Sequence, residues 1–143
     1  EYATYARGNL GRAKNLLEDE EQRTRYQKNV KILRDIGNFT LEQMVKVLAE
    51  MKEEDPNFSE FLQFIRDWYR DVLIVLVGAD VRKLIFSTEM KTMKEKAEQY
   101  SLTKVNQILE AVDLAQDRIQ ANVKAELAMQ MLLMEMKVGE GNG

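Results

Sequence analysis

Five stretches of the chain gather polar, charged or sulfur-bearing side chains in patterns that point to a possible site. Gly8-Asn9-Leu10-Gly11-Arg12 has the small residues that let backbone N–H groups cradle an anion at a helix start. It lacks the Gly-Lys-Ser/Thr ending and a preceding strand, so it is no P-loop; a tight start to a helix is the plainer reading. The acidic runs Glu18 to Glu21 and Glu53-Glu54-Asp55 offer carboxylate oxygens to a hard cation. Neither has the Asp/Gly spacing of a calcium loop, and solvated helix ends account for both. Arg66-Asp67-Trp68-Tyr69-Arg70-Asp71 combines the residue types enriched at interface hot spots. Read plainly, its aromatics are core and its charges are solvated, with Asp67 and Arg70 spaced to pair on a helix surface. Finally, four of the eight methionines, Met129, Met131, Met134 and Met136, crowd one segment. Residues two and five apart point to different sides of a helix, so some of them must meet a second surface.

The chain has no Cys and no His. That removes disulfides, thiolate nucleophiles, imidazole bases and the usual zinc ligand sets, and no catalytic, cofactor or metal site is expected. The lack of Cys suits a reducing cytoplasm. Net charge is −3, so no strong positive field awaits a phosphate backbone. The longest apolar run, Val72 to Val77, has six residues against the ~20 that span a bilayer. A start at Glu1 rather than Met reads as a fragment whose parent continues upstream.

The elements that must position these groups are helical throughout. With 45% apolar and 31% charged residues and a single Pro, the composition is that of a globular helical chain. A short helix is predicted over 9–18 and a second over 20–36, with Tyr26, Val30, Leu33 and Ile36 on one face and a left-handed Gly37 ending it. Thr40 and Gln43 have capping-box spacing before a stripe of Leu41, Val45, Leu48 and Met51. Asn57 and Glu60 offer a second box before the longest helix, 58–77, whose end beyond Val72 is apolar all round and predicted to be enclosed. Gly78 breaks it, and 81–86 is open between a helical turn and a loop. Three more helices follow, over 88–99, after a Ser101 cap, and after an Asn122 cap. The fold class is all-α, a bundle of about six to seven helices. Residues 1–19 are predicted to end a preceding domain, 20–138 to form the bundle, and 139–143 a flexible tail.

Three stretches together resemble the clamp-loader subunits of bacterial DNA polymerase III, delta-prime above all. Gly8-Asn9-Leu10-Gly11-Arg12-Ala13 resembles the start of their lid-domain helix. Phe64 to Leu73 resembles the aromatic-Arg-Asp-apolar helix of their collar domain. Ile108 to Ala115, then Ile119, Asn122, Val123, Leu127, Ala128 and Leu132, resembles the last helix pair of that collar. Residues 81–100 match only in outline. Nucleotide-hydrolysing members read Gly-x-Leu-Arg-x-Ala at the lid, with the Arg sensing phosphates. Here that position is Gly11, and Arg12 is displaced by about 100° round the helix. The resemblance therefore implies a non-hydrolysing, delta-prime-like subunit of the bacterial cytoplasm, without nucleotide or other cofactor. It implies a collar segment in a ring with the ATPase (tau/gamma) and delta subunits, meeting DNA only through the complex and no membrane or small-molecule substrate. The collar of the delta or the ATPase subunit remains a same-class alternative, and an unrelated helical adaptor a different one. Arg66, Arg70, Met129, Met134 and Met136 are the expected subunit-interface residues, with Glu126, Glu135 and Lys137 at the rim.

Overall fold

A computed structural model describes residues 16–141, and the expectations for residues 1–15 lie outside the described residues. Six α-helices and three 3-10 turns make an all-α bundle, with no strand among the described residues.

Helix α1, Leu16–Arg34, runs unbroken through the acidic stretch where a boundary near Glu20 was expected. Glu18 and Asp19 occupy its first turn, where the positive end of the helix dipole favours them. Its predicted face is buried, Tyr26, Val30 and Leu33 with Ile36 just beyond. Gly37 is not left-handed; it sits inside a 3-10 turn, Ile36–Asn38. Its smallness serves packing instead, since a Cβ there would lie 2.9 Å from Glu140 Oε1.

Helix α2, Leu41–Lys52, begins with the predicted capping box. The Gln43 amide N–H donates to Thr40 Oγ1 at 3.1 Å, and Thr40 N–H donates to Gln43 Oε1 at 2.8 Å. The predicted stripe is only half right. Leu48 is buried and Met51 half-buried, while Leu41 and Val45 are 55% and 40% exposed and Met44 takes a core position instead. Helix α3, Ser59–Leu76, is capped neither by Asn57 nor through Glu60. The Asp55 carboxylate accepts from the Ser59 and Glu60 amides at 3.0 Å each, and from Phe61 at 3.4 Å. Reaching that position puts Phe58 at φ 54, a left-handed conformation that its fully buried ring helps to hold. The apolar end of α3 is not enclosed: Leu73 to Leu76 are half-buried and Val77 is exposed. Gly78, at φ 71, then ends the helix as predicted, its N–H bonding Val75 O and that of Ala79 bonding Ile74 O.

Between Gly78 and Ser87 the chain has only one short 3-10 turn, Val81–Lys83, yet it is held firmly. Asp71, fully buried on α3, accepts the Ile85 and Phe86 amides at 3.1 and 2.7 Å. Burial pushes the Asp71 carboxyl above its ordinary range, and those two amides pull it back down. Their hydrogen bonds bring Phe86 into an aromatic cluster with Tyr26, Phe64 and Trp68, at centroid separations of 5.1 to 6.4 Å. Asp71→Ala removes both acceptors from part-buried or buried donors, and a loss of about 2–4 kcal/mol in urea unfolding is expected. A change below ~0.5 kcal/mol would show that the segment is held by Phe86 packing alone.

Helix α4, Met90–Gln99, follows a 3-10 turn, and α5, Leu102–Gln120, takes its predicted Ser101 cap, with the Lys104 N–H donating to Ser101 Oγ at 3.1 Å. Asn122 does not cap the last helix. At φ 68 it closes α5, with its own N–H on Ile119 O and the Val123 N–H on Arg118 O. Asn tolerates the left-handed region better than most residues, which is why it can stand where a glycine is common. Helix α6, Ala125–Gly141, continues through Gly139 and Glu140, so most of the expected flexible tail is helix. A Cβ on Gly139 would lie 2.9 Å from the Tyr100 ring and 3.3 Å from Ile108, so this glycine is a close-packing residue. No helix among the described residues is long and apolar enough to cross a membrane.

Candidate protein interaction surface

Helix α6 lies between α2 and α5 and is apolar on two opposite faces. Ala128, Met129, Leu132, Leu133 and Met136 are buried in the core. On the other side Leu127, Met131, Met134 and Val138 are 49%, 45%, 37% and 47% exposed. Their intervals of four, three and four residues are those of a helix–helix seam. At 1.5 Å per residue the row extends roughly 16 Å along the surface.

The helix is fixed at both ends, so this row has a defined orientation. At the start, Glu126 accepts from Lys52 Nζ of α2 at 2.9 Å. Towards the end, Lys137 Nζ donates to Gly37 O at 3.1 Å and Phe39 O at 2.6 Å. The last turn is locked by a polar network in the core. Lys96 Nζ donates to Glu140 Oε2 and to Arg34 O, both at 2.7 Å. Both side chains of that ion pair are at most 10% exposed. The Tyr100 hydroxyl sits 3.2 Å from Glu140 Oε2, 3.2 Å from Met136 O and 3.0 Å from the Tyr69 hydroxyl.

Burial pushes the phenols of Tyr69 and Tyr100 far above the ordinary value of 10.0, and the Glu140 carboxylate adds to both shifts. Each is therefore protonated in the folded chain at a pH where the unfolded chain ionises. A raised folded-state value means stability is fully present below about pH 10 and is lost as pH rises beyond it. The expected slope is about 1.4 kcal/mol per pH unit for each phenol. Alkaline unfolding followed by circular dichroism and tyrosinate absorbance checks this, and Tyr100→Phe should flatten the slope. If both phenols ionise near pH 10 without unfolding, the network is more open than its geometry states.

The expected interface residues separate on this surface. Met134 is exposed on the seam as expected. Met129 and Met136 are fully buried, because they lie on the core side of α6; this corrects their assignment to an interface. Leu127, Met131 and Val138 take their place, and the four-three-four spacing was the signal that could have identified them. Arg66 is committed within the chain, its guanidinium bonded to Asp113 and Gln116 of α5 at 3.0 Å each. Arg70 is exposed on α3. Asp67 accepts from Gln63 at 2.9 Å rather than closing an ion pair with Arg70. Burial raises the Asp67 carboxyl, against the Gln63 hydrogen bond and the nearby Arg70 and Arg66 charges. Trp68 and Tyr69 are core residues, so the plain reading of that cluster holds for its aromatics. The second acidic stretch is engaged within the chain. Asp55 caps α3, and Glu54 lies 3.6 Å from Arg25.

Further apolar residues are exposed on the two helices that pack against α6. Leu41 and Val45 are exposed on α2, Leu114 is 46% exposed on α5, and the Arg118 guanidinium of α5 reaches Met131 Sδ at 3.6 Å. This arrangement can bury a partner helix. A comparison with protein-family models, curated proteins and solved structures finds no match for the chain.

Proposed function

We propose that this chain is an assembly domain of the clamp-loader collar type, one segment of a ring that holds a replication complex together. The observation that carries the proposal is the second apolar face of α6. Four exposed residues at seam spacing, on a helix fixed at both ends, leave an apolar surface that a partner helix buries well. The sequence resemblance supports the identity of the partners, the collar domains of the ATPase (tau/gamma) and delta subunits. The preference for delta-prime rests on Gly11 at the lid position where hydrolysing subunits carry their sensing Arg. In this reading the chain contributes shape and apolar surface, while nucleotide turnover belongs to neighbouring subunits. Glu135, exposed beside the seam, tunes partner choice more than affinity. Mixing the chain with the ATPase-subunit collar should give a stable complex by sedimentation velocity. A chain that stays monomeric with both the ATPase-subunit and delta-subunit collars contradicts the proposal.

A further inference from the structure

Helices α1 and α2 pack loosely on each other, and a groove of about 530 Å³ opens between them. Its floor is apolar, formed by Ile32, Phe39, Val47, Met51 and Phe61. Its two walls are oppositely charged. Lys28 and Lys31 line the α1 side, and Glu50 and Glu54 line the α2 side. Arg25 closes one end, lying 3.6 Å from both Glu54 and Glu60. Lys28, Lys31 and Glu50 have no ion-pair partner among the described residues. Asn29, 8% exposed, also lines the groove and makes no side-chain hydrogen bond there, leaving a donor and an acceptor at the floor. From Arg25 to Ile32 the groove runs roughly 10 Å, about two helical turns.

We propose that this groove binds an amphipathic helix of a partner protein, apolar towards the floor, acidic along the flank facing Lys28 and Lys31, and basic along the flank facing Glu50. The charges select this occupant. A phosphate backbone or an anionic lipid surface would meet the Glu50 and Glu54 wall as well as the lysines. A uniformly acidic or basic helix would match one wall and oppose the other. An extended peptide gains affinity from an open sheet edge, and the described residues contain no strand. The site is distinct from the α6 seam. Val47 and Met51 face the groove, whereas Lys52 pairs with Glu126 on the α6 side, so α2 stands between the two surfaces. A module with both surfaces can hold two neighbours at once.

The test uses the whole chain and a labelled synthetic helix of roughly 18 residues, about five turns. Leucine occupies its seam positions, glutamate one flank and lysine the other, and binding is read by fluorescence anisotropy. Saturable binding is expected, weakened at least tenfold by Met51→Asp and unchanged by Met134→Asp. The exposed double variant Lys28→Glu/Lys31→Glu, which avoids the core, should reverse the preference towards a helix with lysine on both flanks. No saturable binding to the wild-type chain overturns the proposal, as does binding indifferent to Lys28→Glu/Lys31→Glu. Loss through Met134→Asp alone would move the helix to the α6 seam and overturn it too. Self-association of the wild-type chain that Met51→Asp abolishes would assign the groove to a second copy, with the same consequence.

Discussion

Replacing Lys96 by methionine is expected to cost the fold about 3–5 kcal/mol. Lys96 is 4% exposed, and its ammonium bridges three elements through two contacts at 2.7 Å, Glu140 Oε2 on α6 and Arg34 O at the end of α1. Without it, the Glu140 carboxylate stays buried with the Tyr100 hydroxyl as its remaining hydrogen-bond donor. An uncompensated charge in that position costs far more than the ion pair contributes when intact. The asymmetry gives a sharper expectation than the single variant does. Lys96→Met/Glu140→Met removes both charges, and it should recover most of the lost stability, leaving a net change within ~1–2 kcal/mol of wild type. Urea unfolding of the three variants measures the cycle. Additive losses would mean the two side chains act independently, contrary to their geometry. Because Glu140 lies in the last turn of α6, Lys96→Met should also raise amide exchange at residues 136–141 first.

How much of this was legible in the sequence depends on how local the cause is. The Thr40 and Ser101 caps and the Gly78 stop were readable because each needs only a side chain and the backbone within four residues of it. Asp55 and Asn122 were misread for a related reason. Asp55 competes with Asn57 for the start of α3, Asn122 stands between two helices, and only the chain path decides which amides a carboxylate can reach or which residue turns left-handed. The tail was misread because its glycines look like breakers. In the fold Gly139 is small for contacts with the Tyr100 and Ile108 side chains, which lie far away in sequence. Asp71 gave no signal at all, since its partners at 85 and 86 sit in a segment without periodicity.

The candidate surface was partly legible. The excess of apolar residues on the last helix predicted two faces, and two faces exist. Assigning methionines to the outer one by residue type misplaced Met129 and Met136. Helical geometry puts 129 and 136 seven apart on one side, and 127, 131, 134 and 138 in a row on the other. The groove between α1 and α2 was invisible, because it depends on how far two helices separate rather than on either helix alone.

If the outer face of α6 is where this domain meets its neighbour, Met134→Asp should break the complex and leave the monomer intact. Met134 is 37% exposed in the free chain, so an aspartate there can be hydrated and should leave the helical circular dichroism and the melting midpoint within error of wild type. In the complex the same carboxylate would be buried against the apolar row of Leu127, Met131 and Val138. About 3 kcal/mol of binding free energy should be lost, which is roughly a hundredfold rise in Kd. Sedimentation equilibrium of the chain with the ATPase-subunit collar, wild type against Met134→Asp, measures it. The expected result is that hundredfold weakening with an unchanged monomer. A complex that forms equally well with Met134→Asp would contradict it.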